Sequence, residues 1–238
     1  MFKKIQGFNF AFAILFFAQL ITEAHTLIYL ALPPYVNFII KPLITLSLFG
    51  VLLFNTGLRG RFSKRIGLGL LFGLFGDVFL LFDHLNELFF IFGLASFLIG
   101  HIFYISAFYL DYSLNKTVYK AQSKNAILGY GFFAVIFCAG LWTHLGNMKA
   151  PVIIYAIVIS LMGIMAVNRY GRVNSLSYKL TLYGSLLFVL SDSVLAIDRF
   201  VYTFKGAGII IMATYMAAQY LITLGVLERK MKKKVEEI

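Results

Sequence analysis

Cysteine occurs once in this 238-residue chain, at Cys138 inside an apolar run, so neither an intrachain disulfide nor a thiolate metal cluster can form. Charge is scarce: 13% of the residues are Asp, Glu, Lys or Arg, about half the share of a soluble domain. No polar stretch is long enough to make a separate soluble domain. Histidine occurs four times, and only His101 falls well inside an apolar run, with His25, His84 and His144 at or near run ends. A zinc site wants three or four ligands, so no metal or other cofactor is expected. Sustained period-2 alternation is also missing, which excludes a transmembrane β-barrel. What fills the chain is apolar, 61% hydrophobic and 17% aromatic, in long unbroken runs. Helices and closed barrels are the only backbones that satisfy their own polar groups in hydrocarbon. The chain therefore reads as all-α, a polytopic membrane protein.

Each run is near the ~20 residues needed to cross a bilayer. The reading is an eight-transmembrane-helix bundle forming a single domain over residues 1–238, with helices at about 5–22, 34–54, 66–83, 88–110, 126–144, 151–168, 180–197 and 207–227. The first run follows Lys3 and Lys4 and ends near Glu23; it is too long for a signal peptide's apolar core and is read as a retained helix. Orientation follows from the basic residues. Lys149, Arg199 and Lys205 fall on one side, Lys41 lies within a span, and every other Lys and Arg falls in the opposite loops or at the termini. Both termini are thus expected in the cytoplasm. The net charge of +11 reflects this sorting and the Arg229–Lys234 run, which suits anionic headgroups; no nucleic-acid partner is implied.

The run Ile66 to Phe82 is apolar except for Asp77, and it carries Gly67, Gly69, Gly73 and Gly76. A carboxylate in hydrocarbon costs several kcal/mol, roughly 2.5–3.5 on insertion scales, unless it faces protein or water. Gly69 and Gly73 form a small-xxx-small step that leads along one face to Asp77, so a neighbouring helix can reach the carboxylate. A second run, Gly184 to Asp192, repeats the design with Ser185 and Ser191. Counting from the expected outer ends at about 1.5 Å per residue, Asp77, Asp192 and Lys41 each lie roughly 10 Å deep. Two carboxylates and one ammonium at one level favour a shared proton and an acid/base pair. His101 and Gln219 lie deeper. A structural ion pair between Lys41 and one aspartate is the plain alternative, and it leaves the other aspartate unexplained.

Five segments carry a family resemblance: Lys41-Pro42-Leu43; Gly69 through Gly76-Asp77-Val78-Phe79-Leu80; Gly93-x-x-x-Phe97-x-x-Gly100-His101-x-x-Tyr104; Gly184-Ser185-x-Leu187-Phe188-x-x-Ser191-Asp192-x-x-Leu195-Ala196; and Tyr215-x-x-Ala218-Gln219-x-Leu221-Ile222. In this order they resemble the YhhN/TMEM86 family of membrane lysoplasmalogenases. The resemblance implies a hydrolase that cleaves the vinyl ether of a lysophospholipid, lysoplasmenyl-choline or -ethanolamine, to a fatty aldehyde and a glycerophospho-base. It would sit in the cytoplasmic membrane of a bacterium. Asp77 and Asp192 would be the catalytic carboxylates, following the two-carboxylate logic of glycoside hydrolysis. Lys41 would hold the phosphate or tune one aspartate, and His101, Tyr104, Ser185, Ser191, Tyr215 and Gln219 would support. A proton-coupled transporter or a non-catalytic lipid-binding protein remains open at this point. Oligomeric state is not legible.

Overall fold

A computed structural model describes residues 5–24, 33, 35–113 and 120–232. Lys3, Lys4, His25, Pro34, Lys116, Lys233 and Lys234 lie outside the described residues. The chain forms α1 (Gln6–Ala24), α2 (Tyr35–Thr56), α3 (Arg61–Leu80), α4 (Glu87–Ser113), α5 (Lys120–Leu141), α6 (Lys149–Val167), α7 (Ser175–Phe200) and α8 (Ala207–Leu227), with a 3-10 turn at Gly146–Met148. Each overlaps an expected span. Helices α3, α5 and α7 begin several residues early, in polar or basic sequence, because a helix need not stop where the apolar run does.

Seven of the eight are long and apolar enough to cross a membrane, which makes the chain a multi-pass integral membrane protein. The exception is α3, expected as a full span. Its first turns carry Arg61, Lys64 and Arg65, and its apolar part is diluted by four glycines and Asp77. It is held by close packing on α4 instead. A Cβ at Gly100 would lie 3.0 Å from the Gly69 carbonyl oxygen, and one at Gly76 would lie 2.7 Å from the Phe97 ring. Contacts from Gly69 to Tyr104, Gly76 to Phe97 and Leu80 to Gly93 make the pair antiparallel. Helices α7 and α8 repeat the arrangement, with Gly184 against Ile222 and Ala218, and Gly225 against Ser177 and Thr181. Small residues at the crossing let two backbones approach, and dispersion and interhelical hydrogen bonds then hold them in lipid.

One apolar core joins these pairs to α2 and α6, around Ile44, Leu48, Ile66, Leu70, Tyr104, Met162, Phe188 and Met216. Helix α5 is peripheral; it packs on α6, where Tyr130 fills the notch at Gly163. At the basic end a buried network ties four segments. Asp111 of α4 accepts from Arg169 in the α6–α7 link at 2.8 Å and from Arg229 after α8. Arg169 also donates to the Ser177 hydroxyl at 3.0 Å and to Thr181, and its guanidinium lies over the Phe62 and Phe108 rings. Burial pulls the Arg169 pKa below its usual range, an effect that the Asp111 carboxylate opposes. Arg169 and Arg229, read from the sequence as loop cations, are thus fastened to an acid. Its sequence signal is slight: one aspartate among tyrosines just past an apolar run.

Candidate active site

Asp77 sits on α3 facing α2 and α8, 1% exposed. Its Oδ2 accepts from the Tyr215 hydroxyl at 2.8 Å and from Thr45 Oγ1 at 3.1 Å. Gln219, one turn beyond Tyr215, donates to the Tyr215 hydroxyl at 2.7 Å, and its Oε1 lies 3.0 Å from Thr45 Oγ1. Thr45 has one proton, so it serves one of these two acceptors at a time. Gly73 is the residue that admits the cluster: a Cβ there would meet Gln219 Nε2 at 2.8 Å and the Tyr215 hydroxyl at 3.3 Å. Lys41, one turn before Thr45 on α2, makes no direct ion pair with Asp77 among the described residues. The half-buried Lys41 faces a polar cleft with Glu23, Asn37, Asp83 and His84 at the end of α1, α2 and α3.

Asp192 sits on α7 in a different cluster. Its Oδ2 accepts from the Tyr155 hydroxyl of α6 at 2.6 Å and faces His101 Nε2 of α4 at 3.9 Å. Its side chain is 14% exposed. It lines a cleft of about 520 Å³, counting its open mouth, among α4, α5, α6 and α7. The walls are Phe90, Leu94, Phe133, Phe137, Val152, Ala156, Ile159, Val189, Leu195, Ala196 and Phe200; only Tyr155, Asp192 and Ser193 are polar.

Phe188 stands between the clusters. Its ring packs edge-on against His101 at 5.0 Å and Tyr215 at 5.5 Å, and tilted against Tyr104 at 6.0 Å. The two aspartates make no hydrogen bond to one another among the described residues, and each has its own tyrosine. They also differ in distance from their helix ends, because α3 stops at Leu80 and turns at once, whereas α7 continues to Phe200. Asp77 is three residues from its end and Asp192 eight, about 5 and 12 Å along the axis.

Two buried polar atoms near these groups have no hydrogen-bond partner among the described residues: His101 Nδ1 and the Tyr104 hydroxyl. They lie three residues apart on α4, and such orphans call for a water or a ligand. The two serines stand apart from the clusters. Ser185 donates back to the Thr181 carbonyl at 2.8 Å, and Ser191 donates across to the Ile211 carbonyl at 3.1 Å, fastening α7 to α8. Sequence reasoning missed Thr45 and Tyr155. Thr45 could have been found one turn from Lys41; Tyr155 is the lone phenol of its span, one turn after Pro151.

Residues 36–226, spanning α2 to α8 and every residue of both clusters, match the YhhN family. The chain belongs to the YhhN family. Among similar proteins, this YhhN member is 31% identical to "Lysoplasmalogenase TMEM86B" of Rattus norvegicus over 201 residues, 82% of this chain and 75% of the relative. It is 28% identical to "Lysoplasmalogenase TMEM86A" of Bos taurus over 170 residues, 71% and 67% of the two chains. "Lysoplasmalogenase" of Mycobacterium bovis is 32% identical over 142 residues, 57% of this chain and 50% of the relative. No solved structure matches the chain.

Proposed function

We propose that this protein is a membrane-embedded hydrolase that cleaves the vinyl ether of lysoplasmalogens, releasing a fatty aldehyde and a glycerophospho-base. The similarity to relatives named lysoplasmalogenase supports the activity. The observation that carries the mechanism is the Asp192–Tyr155 pair in the wall of an otherwise apolar cleft. A single alkenyl chain suits such walls, and its ether then lies against the carboxyl group.

Cleavage begins when a proton adds to the β-carbon of the vinyl ether, leaving an oxocarbenium ion. Water adds to the α-carbon and loses a proton, and the resulting hemiacetal collapses to the aldehyde as the bond to the glycerol oxygen breaks, that oxygen taking the proton from Asp192 and the hydroxyl giving its own back. Asp192 delivers the first proton and, as a carboxylate, takes one from the attacking water. Tyr155 orients it. His101, whose Nε2 faces Asp192 at 3.9 Å, steadies the carboxyl group, and Tyr104 supports the histidine against Phe188. Asp77, sealed by Thr45 and Tyr215, is the second carboxylate; its charge, tuned by Lys41, offsets the cation, and it keeps Tyr215 and Gln219 in place behind Phe188. Ser185 and Ser191 support the α7 backbone. We place the protein in a bacterial cytoplasmic membrane with both termini in the cytoplasm, on the sorting of its basic residues.

The test is incubation of purified protein with lysoplasmenyl-choline and lysoplasmenyl-ethanolamine, with aldehyde read by mass spectrometry. The saturated alkyl ether analogue should release nothing, since it has no double bond to protonate. Wild-type protein that releases no aldehyde from either vinyl ether refutes the reading.

A further inference from the structure

We infer that Arg199 is the phosphate anchor of the lysophospholipid, a proposal that rests on the reading of the Asp192 cleft as the alkenyl-chain site. Arg199 lies seven residues after Asp192 on α7, which brings it round to the same face, about 10 Å further along the axis. Between them Leu195 and Ala196 line the cleft, Phe200 follows as a further wall residue, and the Arg199 guanidinium lies over the ring of Phe90, another wall residue, at 4.5 Å. Arg199 therefore stands at the rim of the cleft that holds the carboxylate.

The lipid has a matching span. From the ether oxygen to the phosphorus runs a chain of five single bonds, about 6 Å when extended. From backbone positions about 10 Å apart along α7, the two side chains can contact the two ends of that spacer. Arg199 is accessible: its side chain is 35% exposed. It forms an ion pair with Asp83 Oδ2 at 3.8 Å, longer than a hydrogen bond, which a bound phosphate would loosen or replace. A planar guanidinium fixed by ring stacking suits bidentate capture of a phosphate. Lys41, expected from the sequence to hold the phosphate, faces the separate cleft by α1 and α2 instead.

The test reads binding, so that it stands apart from turnover. Full-length protein in nanodiscs is titrated with two uncleavable saturated ethers, hexadecyl-glycerophosphocholine and hexadecylglycerol, which differ only in the phosphobase. Arg199→Gln should weaken the phospholipid by about 10- to 100-fold, the range of a charged hydrogen-bonded contact, and leave hexadecylglycerol unchanged. Arg199→Lys should recover part of the loss. Asp83→Asn, which removes the neighbouring carboxylate and keeps the arginine, should bind the phospholipid as well as wild type or better. Equal losses on both ligands, no loss on either, or an Asp83→Asn defect equal to that of Arg199→Gln would each overturn the proposal and make the arginine a structural tie. Inorganic phosphate should not displace the lipid at millimolar concentration; displacement would make this a free-phosphate site instead. Absence of aldehyde release with these affinities intact would refute the hydrolase reading alone.

Discussion

The Tyr155 hydroxyl donates a 2.6 Å hydrogen bond to Asp192 Oδ2 across the α6–α7 interface, in the wall of a cleft that is otherwise almost wholly apolar. If Asp192 moves the proton, Asp192→Asn should lower kcat by at least about 10²-fold, up to 10⁴-fold, the usual contribution of a general acid–base group. Tyr155→Phe should cost less, because the carboxyl group remains. The check is steady-state aldehyde release alongside a thermal melt. An active, folded Asp192→Asn would remove this residue from the mechanism.

Asp77 makes a different prediction because it is sealed and held by two hydroxyls. Tyr215→Phe leaves both Asp77 and Gln219 one partner short, at a stability cost of about 1–3 kcal/mol. Asp77→Asn should lose activity while its melting temperature changes little, since the amide oxygen can still accept from Tyr215. Combined with Asp192→Asn the losses should not add, because the carboxylates serve one reaction. An active Asp77→Asn/Lys41→Met double mutant would reduce the pair to a structural charge balance.

Glycine substitutions separate the helix-packing face from the periphery. Gly73→Ala drives a methyl into Gln219 and Tyr215, and Gly69→Ala drives one into the Tyr104 ring. Each should destabilise by about 1–3 kcal/mol and lower activity by disturbing the site. On α5, Cβ atoms at Gly129 and Gly140 meet nothing within 4 Å. Alanine there should be neutral or stabilising by up to about 1 kcal/mol. Thermal melts of the four variants in one detergent test the contrast.

The Asp111–Arg169–Arg229 network should affect folding and leave chemistry alone. Asp111→Ala strands two arginines, one of them fully buried, and should destabilise by about 3–5 kcal/mol. The kcat of the fraction that remains folded should be unchanged. A proportionate loss of kcat in well-folded protein would connect this end of the bundle to the reaction.

Orientation has its own test. Single cysteines placed at Glu87 and Lys205 in a Cys138→Ala background should be labelled by an impermeant maleimide from outside intact cells, and cysteines at the exposed Lys64 and Lys179 only after lysis. Labelling of Lys64 from outside would reverse the proposed topology.

How much was legible in the sequence varies with the interaction involved. Apolar run lengths and the sorting of basic residues are properties of single segments against a bilayer, so the number of helices, their order and the placing of Asp77 and Asp192 inside them could be read directly. The glycine steps around Gly69 and Gly184 likewise marked where helices would meet. Partners were beyond that reach. Thr45 and Tyr215 converge on Asp77 from α2 and α8, and Tyr155 reaches Asp192 from α6, because helices far apart in the chain pack side by side. Local spacing carries no record of which helix faces which. That the two carboxylates sit in separate hydrogen-bonded clusters was illegible for the same reason: similar depth along two helices says nothing of what lies between them, and packing put Phe188 there. The sequence by itself determined a helical membrane bundle with two carboxylates in costly places, since transfer energies depend on residue type and run length alone. Only the tertiary structure decided that one carboxylate is sealed and the other faces an apolar cleft, since that depends on which side chains fill the space around each.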